Sequence, residues 1–480
     1  MKKFWKYFLI VLLLILGLFM VGVLYLFFVP GSSLFNITYV SLNVQGVSNA
    51  YSRDQVETIT IQNRDFPINI VEASSDNISV RVYSNSLGFA LVKNSTVGIN
   101  AKIEEGNLIF TISEPHGLMS NGDSVIELRI PENFSSNLSI INRNSTITLD
   151  REDYTIENLY YQGNAGQLNF TAGTISGSLD LELNRSDFTL GSDVATNNND
   201  VTINVNDGTF NASNADLGEV VIETNTRGVF AIGECDRLTE SIATAGGRIQ
   251  AGTIGSINVR TSDTNLTINT LTHGGTIELT MGGNIEIGTT NALTDLITNS
   301  GDITVHNAQE RLLAESRDGN ITINNANYVV SATTTYGDIQ VTFGEDAGHF
   351  LDTGARSLEA TTNNGRIVVS GVENVIITIN DNGRAEINMS DVLGVSSVLG
   401  KSGSVSLVIN KDSKYNLTTK SDTGNVSVDL MQVDVTVGNI GYTTREETTT
   451  GVNLANGETT TNSLVVTTTS GDLTIRDTGV

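Results

Sequence analysis

The chain has 480 residues, with 27 basic and 53 acidic side chains and a formal net charge of −26. A surface this acidic argues against nucleic acid and anionic lipid as partners. The single cysteine, Cys235, excludes an intramolecular disulfide and any Cys-based metal site.

Residues 8–29 run without a charge and follow Lys2, Lys3 and Lys6. A spanning helix needs about 20 apolar residues, more than a signal-peptide core usually has. The length predicts a transmembrane helix at 8–29, a cytoplasmic N-terminus at 1–7 by the positive-inside tendency, and an extracytoplasmic remainder. A cleaved signal peptide is the alternative, through Gly31-Ser32-Ser33. Residues 30–54 read as a membrane-proximal spacer.

From 55 to 150, apolar and polar residues alternate in five stretches: 58–61, 68–71, 78–82, 108–112 and 125–130. That alternation predicts half-buried strands, forming an N-terminal β region that caps the remainder of the chain. Pro131 directly follows Ile130 and is expected to close an edge strand.

Residues 151–480 are organised as repeats. Gly301-Asp302-Ile303-Thr304-Val305, Gly319-Asn320-Ile321-Thr322-Ile323 and Gly337-Asp338-Ile339-Gln340-Val341 recur every 18 residues, and Gly283 precedes them by the same step. Ile303, Leu312, Ile321, Val330 and Ile339 mark a second, nine-residue spacing. Looser copies begin at Gly365, Gly383, Gly403 and Gly424, and the last, Gly471-Asp472-Leu473-Thr474-Ile475, comes after a gap. Residues 443–463 are rich in Thr, Asn, Gly and Glu and read as a flexible loop before the final rung. Before Gly247 the period drifts.

A glycine at a corner permits positive φ, and a neighbouring Asp or Asn can bond the turn's own backbone. Two apolar residues two apart then point inward. The expected fold is all-β: a single-chain β-solenoid, with an N-terminal transmembrane helix, two strands and two corners per coil, and up to about 18 coils at strand spacing. A meander of antiparallel nine-residue hairpins would place apolar residues equally well. A hexapeptide helix fits worse, because Gln309 and Glu315 fall where it needs apolar residues. Asn307, Asn324, Asn325 and Asn327 are positioned to stack as ladders. Leu312 and Ala314 keep the helix-prone 307–317 stretch in the strand pattern.

A strand ending in proline, a short link and repeated Gly-Asp-Ile-x-Val units down to the C-terminus resemble a bacterial family of candidate adhesins, the DUF4097 type. They are also similar to auto-transporter adhesin head domains. The resemblance spans residues 55–480 and implies a β-solenoid exposed on an envelope surface, with no catalytic or ligand residues to carry over.

The residues themselves supply little chemistry. The corner set (Gly283, Gly301, Asp302, Gly319, Asn320, Gly337, Asp338, Gly365, Gly383, Gly403, Gly424, Gly471, Asp472) is read as structural. His116, His273, His306 and His349 have no sequence partners for nucleophilic or metal work. The turn Ser421-Asp422-Thr423-Gly424-Asn425 matches no established Ca²⁺ loop. No catalytic, cofactor or metal residue is expected. The expected role is a non-catalytic adhesin or envelope binding protein at the cell membrane, with a surface glycan or protein as ligand. An envelope-stress or scaffolding component that binds a partner protein, or a carbohydrate-active β-helix enzyme, are the alternatives.

Overall fold

The computed structural model describes residues 2–28, 36–37, 44–47, 50–84, 87–89, 98–113, 119–121, 124–241, 246–344, 356–430, 448–454 and 458–478. It divides into two units, residues 1–199 and 200–480.

The first unit opens with the helix Lys2–Phe28. Between residues 5 and 21 every side chain is exposed, Leu14 at 61% and Phe19 at 66% among them. Counted on the described residues, no helix is long and apolar enough to cross a membrane.

Parallel pairing starts earlier than the repeat spacing suggests, within 55–150. Thr58–Asn63 pairs in parallel with both Asn107–Ser113 and Ser135–Asn142. Ile68–Glu72 pairs in parallel with both Ser124–Ile130 and Thr146–Asn164. The coil nearest the N-terminus in sequence therefore sits one rung inside, between two coils that come later. The outermost rung is covered by antiparallel strands: Gly98–Glu104 lies against Asn107–Ser113, and Asn77–Ser84 against Ser124–Ile130. Glu105 (φ 50°) and Gly106 (φ 80°) form the tight turn of the first of these hairpins, where both backbones must be left-handed. Ser124–Ile130 does end at Pro131, but it is paired on both sides and is not an edge. Ile130 is stopped by capping: its carbonyl accepts from Ala73 N at 2.8 Å and from the buried Arg151 guanidinium at 3.0 Å.

Further along this unit the turns are 20 residues long, as the Gln167–Asp187 contact shows. Their wider interior is filled by large rings. Tyr154, Tyr161, Phe170 and Phe188 are at most 1% exposed, and Tyr161 and Phe188 meet at 6.2 Å between centroids.

The second unit tightens to 18 residues per turn. Ile285, Ile303, Ile321, Ile339 and Ile367 are successive Cα partners in one parallel ladder. Thr294, Leu312, Val330 and Leu358 form the ladder of the opposite side. The nine-residue spacing is thus two 18-residue ladders facing one another, and the antiparallel meander is excluded. Ala314, Ala332 and Ala360 line the narrower side, and all are fully buried. The helix-prone stretch is strand, Leu312–Ser316. Turns among the described residues number about 13, fewer than the 18-residue period alone suggests, because many turns are longer and some residues lie outside the ladders. The described residues break off at Gly344 and resume at Arg356, whose guanidinium donates to Gly344 O (2.8 Å), Glu373 (2.8 Å) and Ser390 (3.2 Å).

The C-terminal rungs are not in chain order. Val395–Gly400 pairs with Ser463–Thr468, which pairs on its other side with Tyr415–Ser421. Val405–Ile409 pairs with Leu473–Asp477, which pairs in turn with Val426–Asp429. The last repeat is therefore the penultimate rung, lodged between two earlier coils. Within the stretch expected as a loop at 443–463, Thr448–Val452 is a strand that covers Tyr415–Ser421 in antiparallel pairing; residues 443–447 and 455–457 lie outside the described residues.

Candidate functional site

The corner glycines converge into one column in the second unit. Its order is Gly283, Gly301, Gly319, Gly337, Gly365, Gly383, Gly403, Gly471 and Gly424, with the last two reversed relative to the chain. The reason for glycine differs from the expected one. Of these nine only Gly283 has positive φ, at 104°. The others are excluded from carrying a side chain by close approach. A Cβ on Gly337 would lie 1.8 Å from the carbonyl oxygen of Gly319, and one on Gly319 2.0 Å from that of Gly301. Each glycine's missing side chain leaves the space that the preceding coil's carbonyl occupies.

The acidic and amide residues beside the glycines also act between coils and not within the turn. Asn284 Oδ1 accepts from Asp302 N (2.9 Å), Asp302 Oδ1 from Asn320 N (2.7 Å), Asn320 Oδ1 from Asp338 N (2.9 Å) and Asp338 Oδ1 from Arg366 N (2.8 Å). Asp472 Oδ1 accepts from Asn425 N at 2.9 Å, which continues the pattern in the inserted order. Each of these side chains spends an oxygen on the next coil's backbone, so the repeated Asp is a strut between rungs.

A third column escaped the sequence reading. Thr298, Ser316, Thr334, Thr362, Ser421 and Thr468 lie three residues before a column glycine, and all are buried. Ser316 Oγ accepts from Gly319 N at 2.9 Å and donates to Gly301 O at 3.0 Å; Thr334 Oγ1 accepts from Gly337 N at 3.0 Å and donates to Gly319 O at 3.3 Å. One hydroxyl thus satisfies two backbone groups that the corner turns away from the ladder. The signal was present as hydroxyl-x-x-Gly, but Ser and Thr are so frequent in this chain that it did not stand out. Replacing Thr334 with Val should cost about 1–3 kcal/mol, since both backbone partners stay buried and unpaired, while Thr334→Ser should cost much less. Faster hydrogen exchange at the Gly337 amide in the Val variant alone checks this.

Asparagine stacking is present where it was expected. Asn325 Nδ2 donates to Asn307 Oδ1 at 3.2 Å, and Asn327 donates to Gln309. Asn324 Nδ2 contacts His306 Nδ1 at 3.0 Å, which leaves His306 Nε2 facing Glu286 Oε1 at 3.4 Å. The remaining chemistry-bearing residues are dispersed. His273 contacts only its neighbour Thr272 (3.1 Å) through its ring, and His116 and His349 lie outside the described residues. Cys235 is buried, and burial pushes its thiol up to about 12, the wrong direction for a nucleophile. In the Ser421–Asn425 turn, Asp422 lies 3.9 Å from Lys420 Nζ and Asn425 is bonded to Asp472. Among the described residues no group of three His, Cys, Asp or Glu side chains is placed to hold a metal.

These geometries define the class: a parallel β-solenoid whose turns are held by glycine, hydroxyl and Asp/Asn columns. The family model described as Toastrack DUF4097 matches residues 56–370, and the chain belongs to that family. Three solved structures are similar to it. A candidate cell adhesion protein of Clostridium sporogenes is 7% identical, with 90% of this chain and 98% of that one covered at a TM-score of 0.14. A candidate adhesin of Parabacteroides distasonis is 11% identical, with 71% and 97% covered at 0.16. A candidate adhesin of Bacteroides fragilis is 12% identical, with 68% and 96% covered at 0.14. No curated protein matches the chain.

Proposed function

We propose that this is a membrane-anchored extracytoplasmic surface protein that holds a glycan or protein ligand non-covalently on its ladder faces. The observation that carries the reading is the outward side of the 285–343 ladder. Glu286, Thr304, Thr322 and Gln340 are successive Cα partners there, and His306 and Asn324 stand beside them. Side chains fixed by strand spacing present hydroxyl and amide groups about 4.8 Å apart, a repeated hydrogen-bonding surface with its entropy cost already met by the fold. Catalysis would need convergent acid, base or nucleophile geometry, and this face offers a regular array.

Anchoring rests on the helix Lys2–Phe28. In the sequence, residues 8–29 are an uncharged run of spanning length; the described helix alone does not reach that measure, but side chains 5–21 are exposed on every side of it, as a lipid environment would require. The full chain should remain with membranes through alkaline carbonate extraction, whereas residues 31–480 should be released. Equal release of both would remove the anchor from the reading. For the binding face, ligands retained by the full chain on a glycan array or in a purified-protein screen should lose about tenfold or more in affinity, roughly 1.4 kcal/mol, with Thr322→Lys and Asn324→Lys together. Unchanged binding by that variant would place recognition elsewhere.

A further inference from the structure

The inserted final coil points to a binding slot. Residues 416–428 and 463–475 carry the same pattern at an offset of 47 without a gap: Leu417 and Leu464, Ser421 and Thr468, Gly424 and Gly471, Asn425 and Asp472, Val426 and Leu473, Val428 and Ile475. Both segments suit the edge left by the 395–409 coil, yet the later one occupies it. Its inward residues are the more apolar. Leu464, Val466, Thr468, Leu473 and Ile475 are at most 1% exposed in the slot; in the displaced coil Tyr415, Leu417 and Ser421 are buried too, but Val426 and Val428 are only half-buried. The link from Ile409 to Tyr415 spans residues 410–414, as long as the link 390–394 that joins adjacent rungs one coil earlier. Nothing in chain length therefore forces residues 415–429 to skip a rung. The rung they skip is held by residues 463–477, the more apolar of the two segments.

We propose that the slot between the 395–409 and 415–429 coils is a recognition site for a two-strand segment of the type hydroxyl-x-x-Gly-(Asp/Asn)-apolar-x-apolar, filled in cis by residues 463–477 and, when chains fold together, by the same segment of a second copy. The ladder bonds, the glycine contact between Gly403 and Gly471 and the Asp472–Asn425 strut are identical in the two cases. Only the tether distinguishes them. The tether, residues 430–462, keeps the segment of the same chain at a raised effective concentration, so the cis form dominates in dilute solution and exchange grows with chain concentration during folding. Leaving the slot breaks ladders on both sides, so native chains exchange slowly once mixed.

Thiol pairing in the full chain, solubilised in detergent and carrying Cys235→Ser, tests this. Ser397 and Val465 are direct Cα partners and both are half-exposed. Ser397→Cys and Val465→Cys in one chain should close an internal disulfide. The same two substitutions on separate chains, unfolded together and refolded at rising concentration, should form a disulfide-linked pair whose fraction rises with concentration. Ser397→Cys with Thr418→Cys in one chain should stay open, because those strands lie two spacings, about 10 Å, apart. An internal bond in the first variant with no bond between separate chains at any concentration would overturn exchange. Failure of the first variant to close, or closure of the third, would show that residues 463–477 do not hold the slot and would overturn the site itself.

Discussion

Gly337→Ala is expected to destabilise the second unit by about 3 kcal/mol or more, at the upper end of overpacking penalties. The added Cβ would fall 1.8 Å from the Gly319 carbonyl oxygen and 2.5 Å from its carbon. The atoms it meets are backbone, held on both sides by parallel ladders, so the coils must separate at the corner. That separation also stretches the Thr334 hydroxyl bonds to Gly319 O and Gly337 N. A matched control is Gly282→Ala, whose nearest obstacle is the movable Ser300 hydroxyl at 2.9 Å, and whose cost should stay below about 1 kcal/mol. Urea midpoints for the two variants decide the matter: equal losses would mean that the column glycines owe their place to something other than close approach.

Glu240 should make the second unit less stable as pH rises from about 4.5 to about 7. It occupies an inward position, between Ile222 and Val259 as Cα partners, and is 1% exposed. Burial pushes its carboxyl up to about 7, against the smaller opposing effect of the Asn225 amide, which donates to Oε1 at 3.0 Å. Oε2 has no partner among the described residues. Below about 4.5 the group is protonated whether the chain is folded or not, and its contribution is fully present. Between 4.5 and about 7 only the folded chain keeps the proton, so stability declines with pH; above that the contribution is gone. The gap corresponds to about 3 kcal/mol. Other carboxylates also titrate in this chain, so the reading is the difference between wild type and Glu240→Gln at about pH 5 and about pH 7.5. The glutamine variant should gain relative stability at the higher pH, and a constant difference would show that Glu240 titrates normally.

Much of the molecule was legible because it is local. Period-two alternation identified five strands in 55–150 almost to their ends but not the covering strand Gly98–Glu104, and the Gly-Asp-Ile-x-Val copies placed Ile303, Ile321 and Ile339 on an inward ladder. Leu312 and Ala314 lie in a strand despite their helix propensity, since a buried ladder outweighs propensity. The corner glycines share one column, for a reason the sequence does not show. Positive φ is the usual reason for a turn glycine, and only the neighbouring coil reveals that a carbonyl fills the space where Cβ would stand. The hydroxyl column went unnoticed because a Ser or Thr three residues before a glycine is ordinary until its two backbone partners are seen on different turns.

By itself, then, the sequence determined the repeating strand, its inward face and the 18-residue turn, because side-chain alternation and corner spacing are properties of a few consecutive residues. Only the tertiary structure decided which coil lies against which. At both ends the terminal repeat in sequence sits one rung inside, at residues 58–72 in the first unit and 463–477 in the second. Coils of the same phase are interchangeable as neighbours, so no local pattern encodes their order. At the C-terminal end the more apolar segment, 463–475, holds the rung paired on both sides.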